Sequence, residues 1–241
     1  MNLRVNVVLF DLGETLFFDD PAAWPGVYRQ AEEALWDALR ASGVQVAPAT
    51  IYGGQGSLLQ YYYRLRATGL EEPGTAPPQR TPSPARGGDP GIKPSAALQA
   101  TYAVTQTNWQ LEEDAILTLE TLRAGGMRLG VVSNGSDDGN ARSLLEKGKS
   151  LDFFESVLTS AAFGRRKPDP AIFHAALSHF GASPEQSVMI GDNYDADIAG
   201  AQAVGMNTIW IRRRVAMPPS LAVVAPGEKA SALAEIPPLV L

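Results

Sequence analysis

Five stretches of the chain are short, apolar and rich in β-branched residues, with polar or glycine-rich sequence on either side. They are Val5–Phe10, Met127–Val132, Ser156–Thr159, Ser187–Ile190 and Asn207–Ile211. A strand buried on both faces of a sheet needs apolar residues on both sides, and continuous runs of this kind supply them. Between the runs the apolar spacing changes to that of a helix. Ala115, Ile116, Leu119 and Leu122 share one face, with Gly125 as a stop. Ala171–Phe180 begins after Pro170 and ends at Gly181, and Asp197–Val204 ends at Gly205. Proline just inside a helix start and glycine just past its end are the expected punctuation. Strands alternating with helices predict a parallel sheet, because parallel neighbours need a crossover. The expected fold class is α/β, with a doubly wound, Rossmann-like core.

Residues 18–110 have a different character. Trp24–Arg40 is amphipathic, with Ala31, Leu35 and Leu39 in register and Gly43 placed to cap it. Ser57–Thr68 carries Leu58, Leu59, Tyr62 and Leu65, and Ser95 is placed to cap a third helix running through Asn108. No strand pattern is evident. This segment reads as an α-helical cap inserted after the first strand, leaving 1–17 and 111–241 as the core. Within it, residues 71–94 are rich in Pro and Gly and have no apolar period, which predicts an exposed loop. The glycines at Gly53, Gly54 and Gly56 follow no strand and lack the lysine of a phosphate-binding loop. Pro218–Leu241 is expected to add a loop and a peripheral strand or short helix.

Composition narrows the function. The formal charge is −6, which disfavours a general nucleic-acid role, since phosphate backbones need a basic face. With no cysteine, disulfides, thiolate nucleophiles and Cys-ligated zinc are excluded. The two histidines, His174 and His179, stand five apart on an expected helix and point to different faces. The opening apolar stretch is too short, and too soon ended by Asp11, for a secretory signal, and no run reaches membrane-spanning length. A cytoplasmic protein with no membrane association is expected.

Chemistry collects where four of the strands end. The first runs into Asp11-Leu12-Gly13-Glu14-Thr15 and the second into Ser133-Asn134-Gly135. After the third comes Gly164-Arg165-Arg166-Lys167-Pro168-Asp169-Pro170, and the fourth leads to Gly191-Asp192-Asn193-Tyr194-Asp195-Ala196-Asp197. In open α/β sheets, ligands bind beyond the carboxyl ends of the strands. The set makes sense around one phosphoryl group. Asp11 and Asp192 offer the hard oxygens that Mg²⁺ prefers. Ser133, with the backbone amides that follow, can bind phosphoryl oxygens. Lys167 compensates the clustered negative charge, and Asp11 suits carboxylate nucleophilic catalysis. The partner so implied is a small-molecule phosphate ester.

These four motifs, in this order, resemble the haloacid dehalogenase superfamily of phosphohydrolases, in the form with a helical cap after the first strand. The resemblance implies that Asp11 is the nucleophile, Ser133 the phosphate-binding hydroxyl and Lys167 the lysine that steadies nucleophile and phosphate. It makes Asp192 the direct Mg²⁺ ligand, with Asp197 its partner, and places Asn193 near the metal waters. Phosphoryl binding extends to Asn134 and Gly135.

One position departs from the pattern. Typical phosphatases of this family carry an acid two residues after the nucleophile, and here it is Gly13. The family uses that residue's backbone carbonyl on the metal, which glycine retains. The general acid/base is what goes missing, a group worth about 10²–10⁴-fold. Glu14 is the nearest replacement in sequence, and Tyr28, Arg64 and Arg66 of the cap are further candidates. The expectation is a Mg²⁺-dependent phosphatase slowed by Gly13. The alternatives are a non-enzymatic member that binds a ligand or partner, and a 2-haloacid dehalogenase.

Overall fold

The computed structural model describes residues 5–41, 94–214 and 227–241. The chain divides into two compact units, one of Met1–Asp19 with Gln110–Leu241 and one of Asp20–Trp109. No helix among the described residues is long and apolar enough to cross a membrane.

The first unit is built on a six-stranded sheet. Its strands are β1 (Val7–Phe10), β4 (Arg128–Ser133), β5 (Ser156–Thr159), β6 (Ser187–Gly191), β7 (Asn207–Ile211) and β8 (Glu228–Ala230), in the order β5-β4-β1-β6-β7-β8. Every pairing is parallel. Val7, Val8, Leu9 and Phe10 are fully buried, as the unbroken apolar run requires of a central strand. Successive strands first step away from β1 to β4 and β5, then cross to β6 on its other side. The order therefore reverses between β1 and β6, where a doubly wound sheet opens a crevice at its carboxyl edge. Phe10 sits in register with Val131 of β4 and Ile190 of β6. The residues just beyond these three strands are thus neighbours.

The helices follow the sequence's punctuation. Pro170–Phe180 is capped by Asp169, whose side chain accepts the Ala171 N–H at 2.9 Å, and it ends at Gly181 in the left-handed region, φ 59°. Ile172, Phe173, Ala176 and Leu177 bury one face of it against Val7, Leu9, Val132 and Met189. Ala115–Ala124 buries Ala115, Leu119 and Leu122. The helix Asp138–Lys147 has no counterpart in the sequence reading. Asp137 caps it by accepting the Asn140 N–H at 2.7 Å, and Ala141, Leu144 and Leu145 are its buried face. The expected helix Asp197–Val204 is a π-helical turn, Tyr194–Ala199, followed by an α-helical turn, Gly200–Ala203. The tail adds β8, a 3₁₀ turn at Leu233–Glu235 and the helix Pro237–Val240.

Two short strands went unread. β2 (Phe17–Asp19) and β3 (Trp109–Leu111) form a separate two-stranded sheet at the two ends of the inserted segment. Three residues are too few for an alternation to register.

The described part of the second unit is a pair of helices, Trp24–Ala41 and Pro94–Thr105, packed on each other and followed by a 3₁₀ turn at Gln106–Asn108. Ala31 and Trp36 are buried there, and Asn108 Nδ2 donates to the Asp20 carbonyl at 3.0 Å. The expected helix Ser57–Thr68, the Gly43 cap, Gly53 to Gly56, Arg64, Arg66 and all of the Pro/Gly-rich stretch but Pro94 lie outside the described residues.

Candidate functional site

Asp11 is the first residue past β1, and its N–H donates to the Ile190 carbonyl of β6 at 2.8 Å. That bond carries the strand register one residue further and sets Asp11 beside Asp192, which follows β6 directly. Asp11, Asp192 and Asp197 each present a carboxylate oxygen, all within 4.8 Å of one another. Lys167 arrives from the loop after β5. Its Nζ has three oxygens around it: Asp11 Oδ1 at 2.7 Å, Asp197 Oδ1 at 2.6 Å and the Val132 carbonyl at 2.6 Å. The contacts to Asp11 and Val132 are hydrogen bonds, and the one to Asp197 is an ion pair. Lys167 and Asp197 are 2% and 1% exposed.

The neighbours of this cluster hold it in place. Asn134 pairs with the backbone of Lys167 in both directions, accepting its N–H at 2.8 Å and donating to its carbonyl at 2.9 Å. The Lys167–Pro168 peptide that follows is cis. Asp197 accepts the Asn193 N–H at 3.0 Å through the oxygen not facing Lys167. A side chain at Gly191 would overlap the Asp197 carboxylate, so glycine there is what lets Asp197 lie against the end of β6. Asn193 uses its own side chain to cap the π-helical turn at Ala196. Gly135 accepts from Ala161 N–H and Ser160 Oγ, which fixes the loop after β4. Ser133 closes that strand and is buried.

Charge decides what the cluster can hold. Three carboxylates face one ammonium. Burial, then the Asp11 and Asp197 charges, push the Asp192 carboxyl up to about 8. Burial is also the largest influence on Asp197, raised to about 6 against the pull of Lys167. Burial alone would lower the Lys167 ammonium, but Asp11 and Asp197 outweigh it and hold it above its usual value. The excess negative charge is of the kind that a hard divalent cation relieves, and oxygen donors are what Mg²⁺ takes. The residues fit such an ion.

Glu14 has partners of its own. It is half-buried at a left-handed φ of 55°, and its Oε1 accepts the Asp19 N–H at 3.3 Å. Burial pushes its carboxyl up, and the charges that act on it most are those of Asp19, Arg214 and Glu112. Glu112 in turn pairs with Arg213 and Arg214. Gly13 forms an isolated bridge with Phe17. Tyr28 lies on the helix Trp24–Ala41 with its ring stacked 4.8 Å from that of Trp24.

Two residues that the sequence reading passed over support Asp192. Thr15, almost wholly buried, donates to Asp192 Oδ1 at 3.4 Å, and the Trp210 indole N–H donates to the Asp192 carbonyl at 2.8 Å. Thr15 stood in the motif after the first strand. Trp210 carried no signal, since its role comes only from β7 lying next to β6.

The family model for haloacid dehalogenase-like hydrolases matches residues 91–211. A glyceraldehyde 3-phosphate phosphatase from Methanopyrus kandleri is 34% identical over 212 residues, covering 87% of this chain and 84% of that protein. A phosphoserine phosphatase from Thermus thermophilus is 29% identical over 202 residues, covering 83% and 72%. Among solved structures, a 2-haloacid dehalogenase from Pseudomonas syringae pv. Tomato superposes with a TM-score of 0.64 at 25% identity, covering 98% of this chain and 97% of that one. The motifs at the ends of β1, β4 and β6, the parallel sheet that gathers them and these matches agree, and the chain belongs to the haloacid dehalogenase-like hydrolase family.

Proposed function

We propose that this protein is a Mg²⁺-dependent phosphohydrolase, acting on a small phosphorylated metabolite through an aspartyl-phosphate intermediate at Asp11. The enzyme is a phosphatase of its family. Supporting the finer reading is one observation above all: Lys167 bridges Asp11 and Asp197, and Asp192 completes a three-carboxylate cluster with them in which burial and its two neighbours raise its carboxyl. In this reading Asp11 attacks phosphorus. Asp11, Asp192 and the Gly13 carbonyl would hold Mg²⁺, which when bound neutralises charge on the transferring phosphoryl group. Ser133 and the backbone of Asn134 and Gly135 receive phosphoryl oxygens. Lys167 orients Asp11 and balances its charge, Asp197 positions Lys167, and Asn193 ties the metal loop to Asp197. Residues 1–17 and 111–241 form the catalytic core, residues 18–110 the cap, and the protein works in the cytoplasm.

Glyceraldehyde 3-phosphate and phosphoserine, named for the relatives, are the first metabolites to try. A dehalogenase reading draws on Gly13 and on the likeness to the Pseudomonas structure. That reaction needs no metal, and the three-carboxylate cluster weighs against it.

The test is phosphate release from p-nitrophenyl phosphate, with and without Mg²⁺, beside an Asp11→Asn control. Mg²⁺-dependent release that the control lacks is expected. Release no greater than the control's in both metal conditions would overturn the reading.

A further inference from the structure

We infer that Arg214 is a releasable, salt-sensitive latch on β2 and β3, the two strands through which the chain passes into and out of the second unit. Each strand is three residues long, and the two form a sheet of their own. An isolated pair of strands is marginal in water, so this one needs support from outside it. Glu112 follows β3 directly, and its N–H donates to the Leu16 carbonyl at 2.9 Å, just ahead of β2. The Glu112 side chain is buried, 5% exposed, and its carboxylate takes both Arg213 and Arg214. The Arg214 guanidinium also lies over the Phe18 ring of β2, 4.4 Å from its centroid. A single side chain from beyond β7 thus holds the strand leading in by its ring and the strand leading out by the carboxylate next to it.

The two arginines are not equivalent. Besides Glu112, Arg213 donates through Nη2 to Asp114 Oδ2 at 2.7 Å and through Nε to the Ser231 carbonyl at 3.2 Å. Asp114 Oδ2 also accepts the Ala234 N–H at 3.1 Å, so Arg213 is built into the tail. Arg214 holds Glu112 and Phe18, and its side chain is 35% exposed against 22% for Arg213. A cavity of about 380 Å³, lined by Phe18, Glu112, Asp114 and both arginines, opens beside the pair and admits water and ions. Stability alone is a poor reason for this arrangement, because a buried ion pair roughly breaks even with apolar residues of the same volume. What an ion pair adds is release. Breaking one is costly when it leaves a buried charge without a partner. Here Glu112 keeps Arg213 when Arg214 leaves, so the latch opens without that penalty. The part that opens is the part that salt reaches and screens.

Amide hydrogen exchange of the full chain, read by peptide mass spectrometry, tests the latch. It is run at about 0.1 M and about 1 M NaCl, between which the Debye length falls from about 10 Å to about 3 Å. Arg214→Gln is expected to speed exchange of residues 16–19 and 109–112 by about 10-fold, as the loss of a hydrogen bond to a charged group does. Exchange in β1, β4 and β6 should stay as it was. High salt should bring the wild type towards the variant and leave the variant unchanged. Arg214→Lys keeps the charge but loses the planar fork, and should fall between the two. Arg213→Gln should also loosen residues 227–235, which Arg214→Gln leaves alone. Exchange of the two strands unchanged in Arg214→Gln, or raised equally across the six-stranded sheet, would overturn the inference. A wild type whose strands exchange at the same rate in both salts would do so too, and that comparison stands even if the variants do not fold. No substrate enters the measurement, so its outcome is separate from that of the phosphatase reading.

Discussion

Asn134 and Lys167, 33 residues apart, exchange two hydrogen bonds, one to the lysine's N–H and one from the amide to its carbonyl. The loop that carries the lysine is thereby fastened to the end of β4, and the ammonium is delivered to Asp11. Asn134→Ala removes both bonds and leaves the Lys167 N–H without this partner. A loss of about 1–3 kcal/mol is expected, read from denaturant midpoints. Turnover should fall with it, because the lysine is no longer held in place. Asn134→Asp keeps the acceptor and should recover part of the stability.

Asp192 and Asp197 bind their protons more tightly in the folded chain than in the unfolded one, with values raised from 3.8 to about 8 and about 6. Burial is the largest cause for both. Over that window the native state binds more protons, so stability of the metal-free protein falls as pH rises from about 4 to about 8. A bound cation requires the ionised carboxylates, so stabilisation by Mg²⁺ should grow over the same range. Denaturation midpoints in chelator and in Mg²⁺ across this window check both slopes. Asp192→Asn should flatten the larger part of the chelator slope.

Gly191 is expected to tolerate no side chain. Its added Cβ would meet the Asp197 carboxylate, whose other contacts are Lys167 and the Asn193 N–H. Gly191→Ala should cost about 1–3 kcal/mol, as overpacking does, and should also lower turnover by displacing the partner of Lys167. A variant with wild-type stability and rate would show that Asp197 can move without consequence.

Much of this site was written in the sequence because its residues follow strands that announce themselves. The run ending at Phe10 marks β1, and Asp11 is simply the next residue. The same holds for Ser133 after Val132 and Asp192 after Gly191. The contacts that tie these positions together were not legible. Nothing in Asn134 says that it faces Lys167, and nothing in Trp210 says that it anchors Asp192. Both depend on strand order and register, which a single sequence does not state. Glu14 takes a left-handed φ and accepts the Asp19 N–H, and neither is legible in the sequence. Asp197–Ala199, the second half of the π-helical turn, was expected to open an ordinary helix, because the glycine at Gly205 marks where that helix ends but nothing in the sequence marks its winding.

Trp210→Phe offers a mild perturbation of the same loop. It keeps the aromatic packing against Tyr194, whose ring lies 5.2 Å away, and removes the N–H that meets the Asp192 carbonyl. The fold should lose about 1 kcal/mol. Affinity for Mg²⁺ should weaken by about 10-fold if the loop holds the ion, in line with losses at residues that orient ligands. Calorimetric titration with the ion alone reads this without reference to activity.

The central claim is that Asp11 takes up the phosphoryl group. The direct measurement is to quench the reaction with acetyl phosphate in acid, reduce acyl phosphates with borohydride and map the peptides. Asp11 should be converted to homoserine, dependent on Mg²⁺, with the other aspartates untouched. Modification of a different residue, or continued phosphate release with Asp11 never modified, would contradict the account.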